Sequence, residues 1–221
     1  MKVVAFVPIR LNSKRIVSKN MKMLGNKPLL SYIFETLKKV KNIDEIYAYC
    51  SSGKIKAHLP ENIIYLKRDR YLDGDNIIGK EIYSSFIKEI HADVYILAHT
   101  TSPFIKPGTI QTALNKVLKE EYDSSFSVKR IKTFIWYKNK PLNYKLSYVP
   151  QTQKLEPIYI ETSAFYIFKK DIWNRKKQRI GDNPFLQEVN HIEAIDIDEP
   201  MDFQFAEHIV KLINKRPNRK K

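Results

Sequence analysis

The chain has 221 residues, of which 43% are hydrophobic and 29% charged, with a formal net charge of +15. That length and balance suit one globular domain with a substantial core, and no apolar stretch approaches the roughly 20 residues of a membrane span. A lone cysteine, Cys50, excludes an intrachain disulfide and points to a reducing compartment, hence to the cytoplasm.

The chain opens with Val3–Val7, a continuous apolar run that reads as a buried parallel strand. It follows a charged residue as a signal peptide would, but it is too short and runs at once into Arg10, Lys14 and Arg15. Pro28 opens a helix with Leu29, Leu30, Ile33, Phe34, Leu37 and Val40 at helical spacing. Asp44–Cys50 is β-rich and ends in a Ser-Ser-Gly turn; Ile63–Leu66 is a short strand. Ile78, Ile82, Phe86 and Ile90 mark a second helix over Ile77–Ile90, and Val94–Ala98 a third buried strand. Pro107-Gly108 leads into a helix containing Ile110, Ala113, Leu114, Val117 and Leu118, followed by the strand Asp123–Val128. Strand Ser163–Phe168 and a final helix from about Pro200, burying Phe203, Phe205, Ala206 and Ile209, complete the order.

This alternation predicts an α/β fold with a mainly parallel sheet and helices on both faces. Ligands of such sheets bind beyond the carboxyl ends of the strands, so the loops after Val7, Leu66, Ala98 and Ile195 should converge on one crevice. Lys129–Glu161 breaks the rhythm with Trp136, four tyrosines and three prolines. It is too long and aromatic for a plain loop: either an arm that packs on a second subunit, or an edge hairpin on its own domain.

The charge excess fits either an anionic partner or lysine-rich solvated faces. Apart from the dense tail at 215–221 the cations are spread along the chain, so charge alone does not make this a nucleic-acid-binding protein. More specific is the loop after the first strand. Arg10, Lys14, Arg15 and Lys19 stand within ten residues beside Asn12, Ser13 and Asn20. Fixed cations and polar donors neutralise a triphosphate and stabilise charge growing on departing pyrophosphate. The loop lacks the glycines and Gly-Lys-Ser/Thr ending of a P-loop, and on spacing alone a solvated basic loop is the alternative. Near the other end, Ile195-Asp196-Ile197-Asp198 places two carboxylates on one face of a strand, a pairing that can share Mg²⁺; the alternative is capping of the helix at Pro200. Arg68, in a polar stretch after a short strand, can reach phosphate or base, or belong to a turn. His99-Thr100-Thr101-Ser102-Pro103 leaves a buried strand toward the same crevice. Cys50 has no base beside it, and the other histidines lack zinc spacing.

The basic loop, the Thr-Ser-Pro turn and the Ile-Asp-Ile-Asp segment occur in the order seen in the acylneuraminate cytidylyltransferases, which the chain resembles from Val3 to about Ala206. The resemblance implies a Rossmann-like three-layer nucleotidyltransferase core spanning 1–214, with a projecting dimerisation arm inserted at about 129–161. It implies Mg²⁺-dependent transfer of CMP from CTP to a hydroxyl of an acidic sugar by a homodimer acting on neither nucleic acid nor membrane. It places Arg10, Leu11, Asn12, Ser13, Lys14, Lys19, Asn20, Arg68, His99, Thr101 and Ser102 around the nucleotide. Arg10, Lys14 and Lys19 would be the catalytic cations, and Asp196 and Asp198 would hold the metal. On the acceptor side stand Gln151, Glu161 and Thr162. There the chain departs from the family: His99 replaces a glutamine, Glu161-Thr162-Ser163 an Asn-Gly segment, and Gln151 an arginine, so the implied acceptor is a nonulosonic-acid-like sugar other than sialic acid, or another acidic or phosphorylated compound.

Overall fold

The computed structural model describes residues 1–215; the basic tail from residue 216 lies outside the described residues. Seven strands form the central sheet: β1 Val3–Ile9, β2 Glu45–Cys50, β3 Ile64–Lys67, β4 Val94–Ala98, β5 Ser124–Ile131, β6 Ile158–Lys169 and β7 Pro184–Glu188, in the spatial order β7-β5-β6-β4-β1-β2-β3. All neighbours are parallel except β6, which runs antiparallel to both β4 and β5. Strand period two sends Val3, Ala5, Val7 and Ile9 to one face and Val4 and Phe6 to the other. Because both faces are buried, β1 reads as unbroken apolar sequence.

Helices α1 (Leu29–Leu37) and α3 (Pro107–Leu118) cover the first face, while α2 (Gly79–Glu89) and α4 (Lys170–Lys176) cover the second. On the second face Phe6 stacks on Phe86 with ring centroids 4.2 Å apart. The buried side of α2 is Tyr83, Phe86 and Ile87; Ile78, on the expected stripe, is exposed. The C-terminal helix α5 (Pro200–Lys215) buries Phe203, Ala206 and Val210, whereas Phe205, expected inside, points outward because its spacing from Phe203 takes it off that face. These three pack with Ile16, Leu24, Leu29 and Ile197 in a small separate cluster.

Two expectations change. Ile195–Asp198 belongs to no strand; β7, which sequence periodicity does not reveal, takes the sheet edge beside β5. The segment is held instead by Ile197 in the small cluster and by the Ile197 amide, which donates to the Thr101 carbonyl at 2.8 Å. The 129–161 excursion is shorter than expected, since 129–131 and 158–161 prolong the antiparallel β5–β6 ladder. Between them lie a small hairpin, Trp136–Tyr137 with Lys140–Pro141, and a 3₁₀ turn, Thr152–Lys154, with Trp136, Tyr137, Leu146 and Tyr148 exposed. Among the described residues no helix is long and apolar enough to cross a membrane.

Candidate active site

The loop leaving β1 is tied down by its one buried apolar side chain, Ile16, which enters the same small cluster as Ile197. That packing brings the basic loop against the Asp196–Asp198 segment. Lys19 completes the junction: its Nζ donates to the Ile197 carbonyl at 2.6 Å and to Asp198 Oδ1 at 3.3 Å, across 178 and 179 positions of chain. Arg15 adds a contact to Asp198 at 3.3 Å and donates to Glu199 at 2.8 Å. Asn20, buried, clamps the loop on its other side: its amide nitrogen donates to the Arg10 carbonyl at 2.7 Å, and its oxygen accepts from the Thr100 hydroxyl at 2.5 Å.

A cavity of about 540 Å³ opens between these elements, lined among others by Arg10, Ser13, Lys14, Lys19, His99 and Thr101. Thus the loops after β1 and β4 share one crevice, and the loop after β3 joins them through Asp75. Asp75 was missed by sequence reasoning, which had no reason to separate it from an ordinary Asp-Gly turn. Its carboxylate accepts from Lys14 at 2.7 Å and stands 3.8 Å from Arg10, and these cations hold it below the usual carboxylate range. Asp75 is therefore a counter-ion of Lys14 and Arg10.

Asp196 is the least satisfied acid of the site. One carboxylate oxygen is buried with no hydrogen-bond partner. Burial pushes its pKa up, the Thr101 hydroxyl opposes that, and the charge of Asp198 pushes it further up. Ile195 and Ile197 face the small cluster, so the intervening alternation leaves Asp196 and Asp198 on the opposite side without any strand pairing. A buried, orphaned carboxylate oxygen beside a second carboxylate is a donor set that fits a hard divalent cation. Asp198 is shared with Lys19 and Arg15. Asp202, rather than Asp198, caps α5, accepting from the amides of Asp198 and Glu199 at 3.0 and 2.7 Å.

His99 is held by its ring Nδ1, 2.5 Å from the Ser163 carbonyl. A carbonyl only accepts, so Nδ1 carries the hydrogen. Burial lowers the ring's pKa, the Ser163 contact raises it less, and Arg179 lowers it again, leaving a neutral ring with Nε2 as an acceptor. Ser163 makes this contact from a left-handed backbone conformation (φ 57°) at the bulge in β6, a position where a glycine is ordinarily favoured.

The remaining expected residues divide. Leu11 and Asn12 line a second cavity of about 680 Å³ with Ser51, Lys54, Tyr65 and Lys67. Arg68, expected at the nucleotide, is enclosed: it is 1% exposed, pairs with Asp73 at 2.5 Å and lies over the Tyr49 ring. It acts on the second cavity only through Asp73, which lines it. Ser102 is buried with its hydroxyl unpartnered and lies off both cavity walls. Thr162 is turned into the β5–β6 interface, where it donates to Ser127 at 2.8 Å, so it presents no side chain to an acceptor. Glu161 accepts from the Tyr166 hydroxyl at 2.7 Å, and Gln151 is exposed immediately before the 3₁₀ turn of the excursion.

Residues 4–218 match the family model described as cytidylyltransferase. N-acylneuraminate cytidylyltransferase A of Danio rerio is 25% identical over 93% of this chain, which spans 50% of that relative; the chain thus covers about half the length of such longer relatives. CMP-N,N'-diacetyllegionaminic acid synthase of Legionella pneumophila is 28% identical over 96% of this chain and 97% of its own length. In three dimensions the chain is similar to a CMP:2-keto-3-deoxy-manno-octonic acid synthetase complexed with CTP, with a TM-score of 0.71 at 14% identity over 96% of this chain and 100% of the other. At that identity the likeness concerns the fold.

Proposed function

The chain belongs to the cytidylyltransferase family, and we propose that it transfers the cytidylyl group of CTP to a hydroxyl of an acidic, nonulosonic-acid-like sugar. The acceptor oxygen attacks the α-phosphorus, the bond from the α-phosphorus to the bridging oxygen breaks, and pyrophosphate leaves with that oxygen; the acceptor's proton is lost to solvent. The observation that carries this reading is the junction of Lys19, which lines the cavity, with Ile197 and Asp198, which sets the basic loop against paired carboxylates. Arg10 and Lys14 face the outgoing phosphates, and their electrostatic stabilisation of the leaving group is the main catalytic contribution of the chain. Lys19 lies nearest the carboxylates. Neutral His99 offers Nε2 as an acceptor at the far wall. The second cavity, beyond Leu11 and Asn12, has room for ribose and base.

Asp196 and Asp198 would hold Mg²⁺, which when bound supplies charge neutralisation and Lewis acidity at the phosphates. The acceptor class rests on the relatives named for N-acylneuraminate and diacetyllegionaminic acid. The exposed aromatic face of 132–157 supports a homodimer built through this arm, which light scattering of the purified chain will check. Thermal unfolding with each of the four ribonucleoside triphosphates and Mg²⁺ tests the nucleotide, since only a specific ligand stabilises strongly at low concentration. CTP should stand apart. Equal shifts with all four would overturn the reading; where CTP stands apart, pyrophosphate release across a panel of sugar acids identifies the acceptor.

A further inference from the structure

His99 differs from every other ionisable side chain on the wall of the active-site cavity. Arg10, Lys14, Arg15 and Lys19 are cations and Asp75 is a paired carboxylate, whereas the imidazole is neutral. The ring is also fixed. Its backbone amide donates to the Ala164 carbonyl at 3.1 Å, and its Nδ1 donates to the Ser163 carbonyl at 2.5 Å. Ser163 presents that carbonyl from the left-handed conformation at the β6 bulge. The Tyr166 ring meets the imidazole edge-on, with centroids 6.3 Å apart, and the Tyr166 hydroxyl is itself held by Glu161 and Arg179.

With the hydrogen on Nδ1, the lone pair is on Nε2, at the other edge of the ring. Among the described residues Nε2 meets no hydrogen-bond partner and is not sealed from solvent, so it is open to the cavity that His99 lines. On that wall it is the group suited to take a proton near neutral pH. The lysines and arginines already carry theirs, and Asp75 is held below the usual carboxylate range by Lys14 and Arg10.

The transfer has a use for such a group, because a sugar hydroxyl is a weak nucleophile until its proton is leaving. We propose that His99 is a catalytic residue, the general base whose Nε2 takes the proton of the acceptor hydroxyl as that oxygen attacks the α-phosphorus. The O–H bond breaks as the O–P bond forms. The electron pair of the bond to the bridging oxygen leaves with pyrophosphate, and Nε2 later passes its proton to solvent, which restores the neutral ring. The Ser163 carbonyl, facing Nδ1–H, stabilises the imidazolium while it lasts. The proposal rests on the transferase reading above and adds the group that removes the acceptor's proton.

The electrostatics around the ring fit this task. Burial and Arg179 keep the free ring neutral against the contact with Ser163, which is the state a base requires. Tyr166, pushed up to about 12 chiefly by burial, is neutral as well. Across the cavity the four cations act with Arg179, and Asp75 opposes them. A bound triphosphate brings several negative charges into the same cavity and shifts that balance, so the ring becomes a stronger base once the nucleotide is in place.

The test is the pH dependence of turnover by the full chain. CTP·Mg²⁺ is supplied with N-acetylneuraminic acid, N,N'-diacetyllegionaminic acid or 3-deoxy-manno-octulosonic acid, and pyrophosphate release is followed with the acceptor that reacts fastest. Wild-type kcat should rise from acid pH and level off as one group loses its proton. His99→Gln, whose side chain accepts a hydrogen bond but holds no proton, should lower kcat by about 10²–10⁴ and abolish the levelling. Its thermal stabilisation by CTP·Mg²⁺ should be kept. In His99→Ala, added imidazole should restore turnover in proportion to its unprotonated fraction, a recovery that a merely supporting side chain would not give. A wild type without the acid limb, an undiminished kcat in His99→Gln, a variant that keeps the wild-type pH profile, or no response of His99→Ala to imidazole would each overturn the proposal. No pyrophosphate from the wild type with any of the three acceptors would overturn the transferase reading, and this proposal with it.

Discussion

Replacing Lys19 by methionine removes the ammonium while keeping most of the apolar stem, and it separates the two roles of this residue. Lys19 is 11% exposed and donates to the buried Ile197 carbonyl at 2.6 Å and to Asp198 at 3.3 Å. Loss of a hydrogen bond from a charged donor, with an unpartnered carbonyl left behind, costs about 2 kcal/mol. The Asp198 contact adds little, because that carboxylate is half exposed and keeps Arg15. For a chain of this length, the melting temperature falls by about 2–4 °C for each kcal/mol, so Lys19→Met should melt about 4–8 °C lower without ligand. Turnover should fall by about 10²–10³, the range for loss of one preorganised charge-stabilising donor. Lys14→Met is the internal control: Lys14 is exposed and paired only to exposed Asp75, so it should leave the melting temperature unchanged while reducing the stabilisation conferred by CTP. Differential scanning calorimetry with and without CTP·Mg²⁺, with pyrophosphate release measured in parallel, checks both. A Lys19→Met protein that melts like the wild type and is stabilised by CTP as strongly would refute the claim that this side chain joins the two halves of the site.

Asp196→Asn should raise the melting temperature of the metal-free protein while abolishing Mg²⁺-dependent turnover. The folded-state pKa of Asp196 is raised, chiefly by burial, so its stabilising contribution is full below the unfolded value and is lost as pH rises through the folded one. The advantage of the asparagine variant should therefore grow with pH from the acid range to neutrality in a scanning series. Added Mg²⁺ should stabilise the wild type alone; an equal shift in both proteins would count against these carboxylates as the metal site. Asp75→Asn removes the internal counter-ion of Lys14 and Arg10, so CTP should bind severalfold tighter at low ionic strength, with the gain vanishing in high salt; weaker binding in a titration would show that Asp75 contacts the ligand instead.

Much of the architecture is legible in local pattern. The unbroken apolar run of β1 and the helical stripes of α1 and α3 recur as buried positions, since periodicity reports burial directly. The pattern failed where burial was partial. Strand β7 is only half covered and carries no alternation, and α5 turns Phe205 to solvent while Val210 goes inside. The residue types of the site were likewise legible, because four cations after a buried strand and two acids near a helix start are local facts.

How those residues are used was decided by the tertiary structure. The shared burial of Ile16 and Ile197 in one cluster is a long-range packing event, and together with the Lys19–Ile197 hydrogen bond it sets Lys19 beside Asp198. Burial of Arg68 against Asp73, the turn of Thr162 toward Ser127 and the placement of Arg179 on Tyr166 also depend on which surfaces pack together. A sequence fixes which groups can carry charge or donate a hydrogen. Whether water, another side chain or a substrate meets them depends on distances that exist only once the chain has closed on itself.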